Sequence, residues 1–111
     1  MYYPRPKLYH YVIEVSRDKD FKNETILELQ AKIKVFVKET KLNIIKSMEH
    51  EFTPQGYTAV FILSSSHLAV HTWPENNYIH FDLLSCTKIK KFDLLKGTKS
   101  IFSGKIRIKK I

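Results

Sequence analysis

The chain has 111 residues, 43% of them hydrophobic, which suits one domain over 1–111 and is too short for two ordinary domains. Its single cysteine excludes an internal disulfide, and the lack of any leader-like or membrane-length apolar run predicts a cytoplasmic protein without membrane segments. The net charge is +8, and residues 88–110 hold nine Lys or Arg against Asp93. No nucleic-acid-binding motif accompanies this charge, so we interpret it as a solvated basic face and expect no nucleic acid partner.

The first two predicted elements are a strand and a helix. Apolar and polar residues alternate over 9–16, which is typical of a strand with one buried face. Over 23–40, apolar residues recur at helical spacing, and Asn23 or Thr25 can accept hydrogen bonds from the unpaired N–H groups at the start of that helix.

The rest of the chain predicts four strands, a weaker helix and a last strand, at 42–52, 57–63, 67–72, 78–85, 90–102 and 105–111. Residues 53–56 and 74–77 are rich in turn formers and connect neighbouring strands. The strand 57–63 is apolar on both faces, which favours a central position in the sheet. Gly97 is expected to interrupt the second helix.

This order of elements predicts an α+β fold. We expect a two-layer sandwich in which two helices cover one face of a largely antiparallel sheet. The helix-free face would then be partly hydrophobic, and pairing with a second copy of the chain is a simple way to bury it.

Nucleophiles and bases concentrate at Ser66, His67, His71 and Cys86. A serine or cysteine activated by histidine would suit a hydrolase, but the nucleophile-elbow motif G-x-S-x-G is absent. His67 and His71 have the spacing of a helical metal pair, yet in a strand they lie about 13 Å apart, too far for one ion, so we expect no metal. On these grounds alone, a structural role for the serines and His71 is as well supported as a functional one.

The sequence SHLAVHTWPE at 66–75, followed by DLLSC at 82–86, resembles the signature of the small prokaryotic S-adenosylmethionine decarboxylases. The family pattern is approximately E-S-H-x-x-x-H-T-W-P-E, with D-x-x-x-C at the end of the following strand. His10 with Glu14, and Phe52 with Pro54 and Gly56, also stand at family-like spacing. The resemblance therefore extends over about residues 7–90.

The resemblance implies a precursor that cuts itself between Ser65 and Ser66, into a beta chain of 1–65 and an alpha chain of 66–111. In that family the serine attacks the preceding carbonyl and ends as a covalent pyruvoyl group, which forms a Schiff base with the substrate amine. The implied product is decarboxylated S-adenosylmethionine, the aminopropyl donor for spermidine synthesis. The implied mature form is a homodimer of cut protomers.

The same resemblance assigns the other site residues: Thr58 as a processing hydroxyl, His71 as the processing proton acceptor, Cys86 as the proton donor, and Phe52, Trp73 and Glu75 as substrate-binding residues. An aromatic face suits a sulfonium for the reason that it suits other cations. Ordinary core packing is an equally good explanation for the two aromatic residues.

Two positions depart from the family pattern. Ser65 stands where the family has glutamate, and Thr87 where it usually has glycine. These departures make a different substrate conceivable, and an interpretation from a different class also stays open. The first alternative is a pyruvoyl-dependent decarboxylase of ornithine or arginine on the same fold. The other is an uncut, non-catalytic relative that acts as a regulatory or binding partner, or a basic module that binds nucleic acid through 88–110.

Overall fold

The computed structural model describes residues 3–18 and 24–111. Within these ranges the chain forms six strands and two helices: β1 (Tyr9–Arg17), α1 (Ile26–Glu39), β2 (Ile44–Glu51), β3 (Tyr57–Leu63), β4 (Ser66–Trp73), β5 (Tyr78–Ser85), α2 (Lys91–Lys99) and β6 (Gly104–Lys110). A 3-10 turn, Pro74–Asn76, joins β4 to β5. Each predicted strand and helix is present, and its described ends lie within three residues of the predicted ones.

The strands form one sheet in the order β2-β3-β4-β5-β1-β6, and all five neighbouring pairs are antiparallel. The predicted α+β fold is therefore confirmed, and the predicted central strand, β3, lies between β2 and β4. Both edge strands carry charged residues, which discourages pairing with a further strand.

The core lies between the helices and one face of the sheet. The α1 residues Leu29, Ile33 and Phe36 are buried, and the Phe36 ring stacks on Phe81 of β5 with 4.9 Å between centroids. Each such side chain contributes about 1.5–3 kcal/mol when it leaves water. The hydrophobic burial thus fixes which sheet face the helices cover.

The start of α1 follows from a side-chain cap at Thr25. The Thr25 hydroxyl accepts a hydrogen bond from the Glu28 N–H at 3.1 Å and donates one to the Glu28 carboxylate at 3.1 Å. Thr25 is thus one of the two expected caps, whereas Asn23 lies outside the described residues.

Gly97 does not interrupt the second helix, contrary to our expectation. It lies inside α2, and a Cβ atom there would come within 2.9 Å of the Thr40 Cγ2 at the end of α1. The missing side chain lets the two helices approach each other, and this packing outweighs the weak helix propensity of glycine.

The sheet face away from the helices, called the open face below, is lined by cross-strand rows of side chains. One row contains His50, Thr58, His71, His80, Glu14 and Arg107. The next row contains Met48, Val60, Ala69, Asp82, Val12 and Lys109. Met48, Val60 and Ile62 are 79%, 41% and 52% exposed, so this face is partly hydrophobic, as predicted.

Candidate active site

A turn formed by Ser64 and Ser65 joins β3 to β4 and brings Ser66 beside the end of β5. Ser66 pairs with Ser85, and Cys86 follows directly. The Cys86 N–H donates a hydrogen bond of 2.9 Å to the Ser65 carbonyl oxygen. We call Ser65, Ser66 and Cys86 the serine half-site.

A network of hydroxyls surrounds this half-site. The Ser85 side chain is fully buried, and its Oγ accepts a hydrogen bond of 3.0 Å from the Thr87 N–H. The same Oγ lies 2.9 Å from the Thr87 carbonyl oxygen, 3.1 Å from the Thr87 Oγ1 and 3.5 Å from the Ser65 Oγ. The Thr87 and Ser65 hydroxyls are 3.4 Å apart. The two positions that depart from the family pattern are therefore in contact with each other.

The other predicted site residues lie at the opposite end of the same strands. The Thr58 Oγ1 is 2.9 Å from the His71 Nδ1, because β3 and β4 pair these residues directly. The His71 and Trp73 rings are 6.1 Å apart, and Trp73 is 42% exposed. Phe52 follows the last residue of β2 and is 49% exposed, and Glu75 lies in the 3-10 turn. We call Phe52, Thr58, His71, Trp73 and Glu75 the histidine half-site.

The two half-sites are far apart within one chain. Ser66 and His71 are five positions apart in one continuous strand, about 16 Å at a rise of ~3.3 Å per residue. A proton acceptor must lie within about 3.2 Å, measured between heavy atoms, of the group whose proton it takes. One chain therefore does not bring its own His71 to its own Ser66.

Asp82 is a polar residue of the open face whose partners sequence reasoning did not identify. Its two carboxylate oxygens lie 2.6 Å from the His10 Nε2 and 3.8 Å from the His67 Nε2. Asp82 and His10 belong to the quoted motifs, and strand alternation alone would have put both on the open face, but only the register of β1 against β5 makes them neighbours.

The open face also perturbs two titrating groups beside His80. Burial and the Glu14 carboxylate raise the pKa of Tyr78 above 10.0. A hydrogen bond from Lys109, at 3.1 Å, lowers the pKa of Glu14 below 4.5, and burial opposes this effect. Glu14 therefore stays ionised at neutral pH and places a negative charge directly beside His80, its neighbour in the cross-strand row.

A cavity of about 350 Å³ borders the serine half-site on the side of the helices, and Ser65, Thr87 and Asp93 contribute to its walls. Among the residues that the structure describes, no group of three or more His, Cys, Asp or Glu side chains could hold a metal ion. In the same described part of the chain, neither helix has the length and apolar character needed to cross a membrane.

The fold is shared with a solved decarboxylase. The crystal structure of the adenosylmethionine decarboxylase from Aquifex aeolicus VF5 superposes with a TM-score of 0.80 at 22% sequence identity, over 97% of this chain and 91% of that chain. At this identity the likeness establishes the architecture alone.

Sequence comparison establishes the family. The model of the S-adenosylmethionine decarboxylase family matches residues 9–110. The S-adenosylmethionine decarboxylase proenzyme of Clostridium botulinum strain Langeland is 33% identical over 110 residues, covering 93% of this chain and 90% of that protein. The proenzyme of Syntrophomonas wolfei is 33% identical over 92 residues, covering 82% and 64% of the respective chains. The chain belongs to the S-adenosylmethionine decarboxylase family, and its enzyme class is that of the carboxy-lyases.

Proposed function

We propose that the chain is a proenzyme that cuts itself between Ser65 and Ser66. The observation that carries this proposal is the 2.9 Å hydrogen bond from the Cys86 N–H to the Ser65 carbonyl oxygen. A carbonyl attacked by a hydroxyl becomes an oxyanion, and an N–H already directed at that oxygen stabilises the developing charge. The Oγ of Ser66, the next residue, supplies the attacking hydroxyl.

In the proposed cut, the Ser66 Oγ adds to the Ser65 carbonyl carbon, and the bond from that carbon to the Ser66 nitrogen breaks. An ester and a free amine result. Removal of the Ser66 α-proton then expels the Ser65 carboxylate, and water displaces the nitrogen as ammonia, which leaves a pyruvoyl group at residue 66. The products are chains 1–65 and 66–111, and His71, held by Thr58, is the proton acceptor.

The proton acceptor comes from a second copy of the chain in this proposal. Because Ser66 and His71 lie about 16 Å apart in one strand, a complete site needs the serine half-site of one protomer and the histidine half-site of another. A two-fold axis that pairs two open faces would form two such sites at once. Val60 and Ile62, exposed on that face, are buried by the same pairing.

The residues present fit a pyruvoyl group, since a serine with an activated preceding carbonyl is its chemical source. Such a group supplies an electron sink for the pair released when carbon dioxide leaves the substrate. The exposed Cys86 Sγ returns a proton to the substrate carbon. The exposed faces of Phe52 and Trp73 bind the adenine and the sulfonium, and Glu75 binds the ribose hydroxyls.

S-adenosylmethionine is the substrate that this family membership favours over ornithine or arginine. The decarboxylated product would donate aminopropyl groups for spermidine synthesis, in the cytoplasm. An assay of carbon dioxide release from S-adenosylmethionine, arginine and ornithine distinguishes these substrates. Carbon dioxide release from arginine or ornithine, without release from S-adenosylmethionine, would show that the proposed substrate is wrong. It would not contradict the proposed self-cleavage.

The first test is intact mass spectrometry with denaturing gels, on the wild type beside Ser66→Ala. We expect two wild-type fragments that meet at Ser65/Ser66, with a blocked second N-terminus and masses that sum to the precursor plus water less ammonia. Ser66→Ala should stay whole. A wild type that stays whole on long incubation, or a Ser66→Ala chain that is cut, would contradict the proposal.

A mixing experiment tests the second copy. When expressed separately, Ser66→Ala and His71→Ala are each expected to remain uncut, because each lacks an essential residue of one half-site. When the two are co-expressed, the His71→Ala chain should be cut, since its Ser66 meets the His71 of its partner. Failure of cutting in a confirmed heterodimer would mean that both half-sites act within one chain.

A further inference from the structure

A serine at position 85 is unusual for its place in β5. Ile79, Phe81 and Leu83 fill the other positions of the row that faces the helices, and all are buried and apolar. Ser85 is equally buried, with 0% of its surface exposed. A buried hydroxyl costs free energy unless it is hydrogen-bonded, so its partners explain why it is there.

The Ser85 hydroxyl bonds to the chain on the far side of Cys86. It accepts from the Thr87 N–H at 3.0 Å and lies 2.9 Å from the Thr87 carbonyl oxygen. These two contacts bend the backbone tightly around Cys86. The Cys86 N–H, at the centre of this bend, donates to the Ser65 carbonyl oxygen at 2.9 Å.

The side chain of Ser65 also contacts this hydroxyl network. Its Oγ lies 3.4 Å from the Thr87 Oγ1 and 3.5 Å from the Ser85 Oγ. These distances are at the long end of hydrogen bonding, so each contact is weaker than those of Ser85 to the Thr87 backbone. The three hydroxyls thus join the residue before the scissile bond to the residues on both sides of Cys86.

We infer that Ser85 is a positioning residue for self-cleavage, which with Thr87 and Ser65 holds the scissile carbonyl on the Cys86 N–H. This inference rests on the proposed cut between Ser65 and Ser66. It explains both departures from the family pattern, because the hydroxyls of Ser65 and Thr87 contact each other next to the carbonyl that is attacked. The three hydroxyls favour the first step of the cleavage, in which the Ser66 Oγ adds to that carbonyl and the C–N bond breaks.

The central test measures the cleavage half-time of Ser85→Ala against the wild type. We expect a slowing of about 10- to 100-fold, less than the loss of a whole oxyanion donor, because the Cys86 N–H remains but is no longer held. Ser64→Ala is the matched control, since Ser64 lies in the same turn outside the hydroxyl network, and it should cut at the wild-type rate. Thermal unfolding of each variant reports whether it is folded.

The step that is slowed distinguishes positioning from a general loss of structure. If Ser85 serves the first step, the uncut Ser85→Ala chain should contain no ester and resist hydroxylamine. The uncut His71→Ala chain should hold the ester and be split by hydroxylamine, because it lacks the acceptor for the later proton. A hydroxylamine-sensitive Ser85→Ala chain would contradict the assigned step.

A second pair of variants covers the case in which Ser85→Ala fails to fold. Thr87 is exposed, and Thr87→Val keeps its shape without the hydroxyl, so we expect cleavage slowed several-fold. Thr87→Ser restores the hydroxyl and should recover most of that rate. Suppose that the wild type cuts itself, and that Thr87→Val and a folded Ser85→Ala both cut at the wild-type rate. The positioning role of Ser85 is then wrong, while the proposed cleavage is not contradicted. A wild type that never cuts contradicts the proposed cleavage itself.

Discussion

At the level of single residues, Cys86 has two separable groups. Its backbone N–H contacts the Ser65 carbonyl oxygen, whereas its exposed Sγ is the proposed proton donor in decarboxylation. A side-chain substitution leaves the first group in place and removes the second. The two proposed reactions can therefore be measured independently in one variant.

We predict that Cys86→Ala still cuts itself but decarboxylates S-adenosylmethionine about 100-fold more slowly, because a proton donor contributes on this order to the rate. Gel analysis gives the cut fraction, and carbon dioxide release, normalised to that fraction, gives the rate. A cut Cys86→Ala protein with the wild-type rate would exclude Cys86 as the donor.

Thr58 offers a second prediction. Its hydroxyl lies 2.9 Å from the His71 Nδ1 and orients the imidazole. Thr58→Val removes this hydrogen bond at constant shape and should slow self-cleavage about tenfold, the equivalent of one ordinary hydrogen bond. Thr58→Ser keeps the hydroxyl and serves as the control in the same time course. Equal half-times for Thr58→Val and Thr58→Ser would show that the hydrogen bond has no role.

At the level of elements, α1 is attached to the sheet by an ion pair as well as by its apolar face. Glu24, just before the helix, has 8% of its side chain exposed and bonds to Arg17 of β1 at 2.7 and 3.1 Å. Burial alone would raise the pKa of Glu24, but the hydrogen bonds from Arg17 and Lys32 hold it below 4.5. Ionised Glu24 therefore stabilises the folded chain at neutral pH.

We predict that Glu24→Gln lowers the free energy of unfolding by roughly 3 kcal/mol at pH 7, because it leaves a buried guanidinium without its counter-charge. Since the folded pKa is depressed, this stabilisation is present above 4.5 and is lost as the pH falls through the folded value. The gap in melting temperature between wild type and variant should thus narrow in acid. Glu39→Gln, at the exposed end of α1, is the control. A difference in melting temperature between wild type and Glu24→Gln that does not change with pH would contradict the stabilising role of ionised Glu24.

At the level of the whole molecule, the open face is the surface on which the proposed function depends. Both the exposed apolar side chains of β3 and the Thr58–His71 pair lie on it. The buried residues of α1 and α2 pack on the other face of the sheet, and Met48, Val60 and Ile62 stay exposed on this one.

We predict that Ile62→Asp weakens the association of two chains and slows self-cleavage together, because it buries a carboxylate in the proposed interface. Leu27→Asp is the control: Leu27 is 77% exposed on α1, and an acid in the first turn of a helix is well tolerated. Light scattering gives the mass in solution, and gels give the half-time. A dimeric, fast-cutting Ile62→Asp chain would place the interface elsewhere.

Most elements were predictable because the local pattern agrees with the tertiary packing. The alternation at 9–16 and the apolar run at 57–63 predict strands, and the structure confirms both. Gly97 was predicted wrongly, since its space is taken up by Thr40 of another helix, a contact that no local pattern contains.

The sequence by itself determined the family, the order of the elements and the residue types of the site, because these depend on motif spacing and local periodicity. Only the tertiary structure decided which of those residues are neighbours. Strand register pairs Thr58 with His71 and directs the Cys86 N–H to the Ser65 carbonyl, and the length of β4 separates these two contacts by about 16 Å. Pairing across a sheet joins residues far apart in sequence, whereas an extended strand separates close ones, so spacing along the chain could not reveal that one chain holds two half-sites.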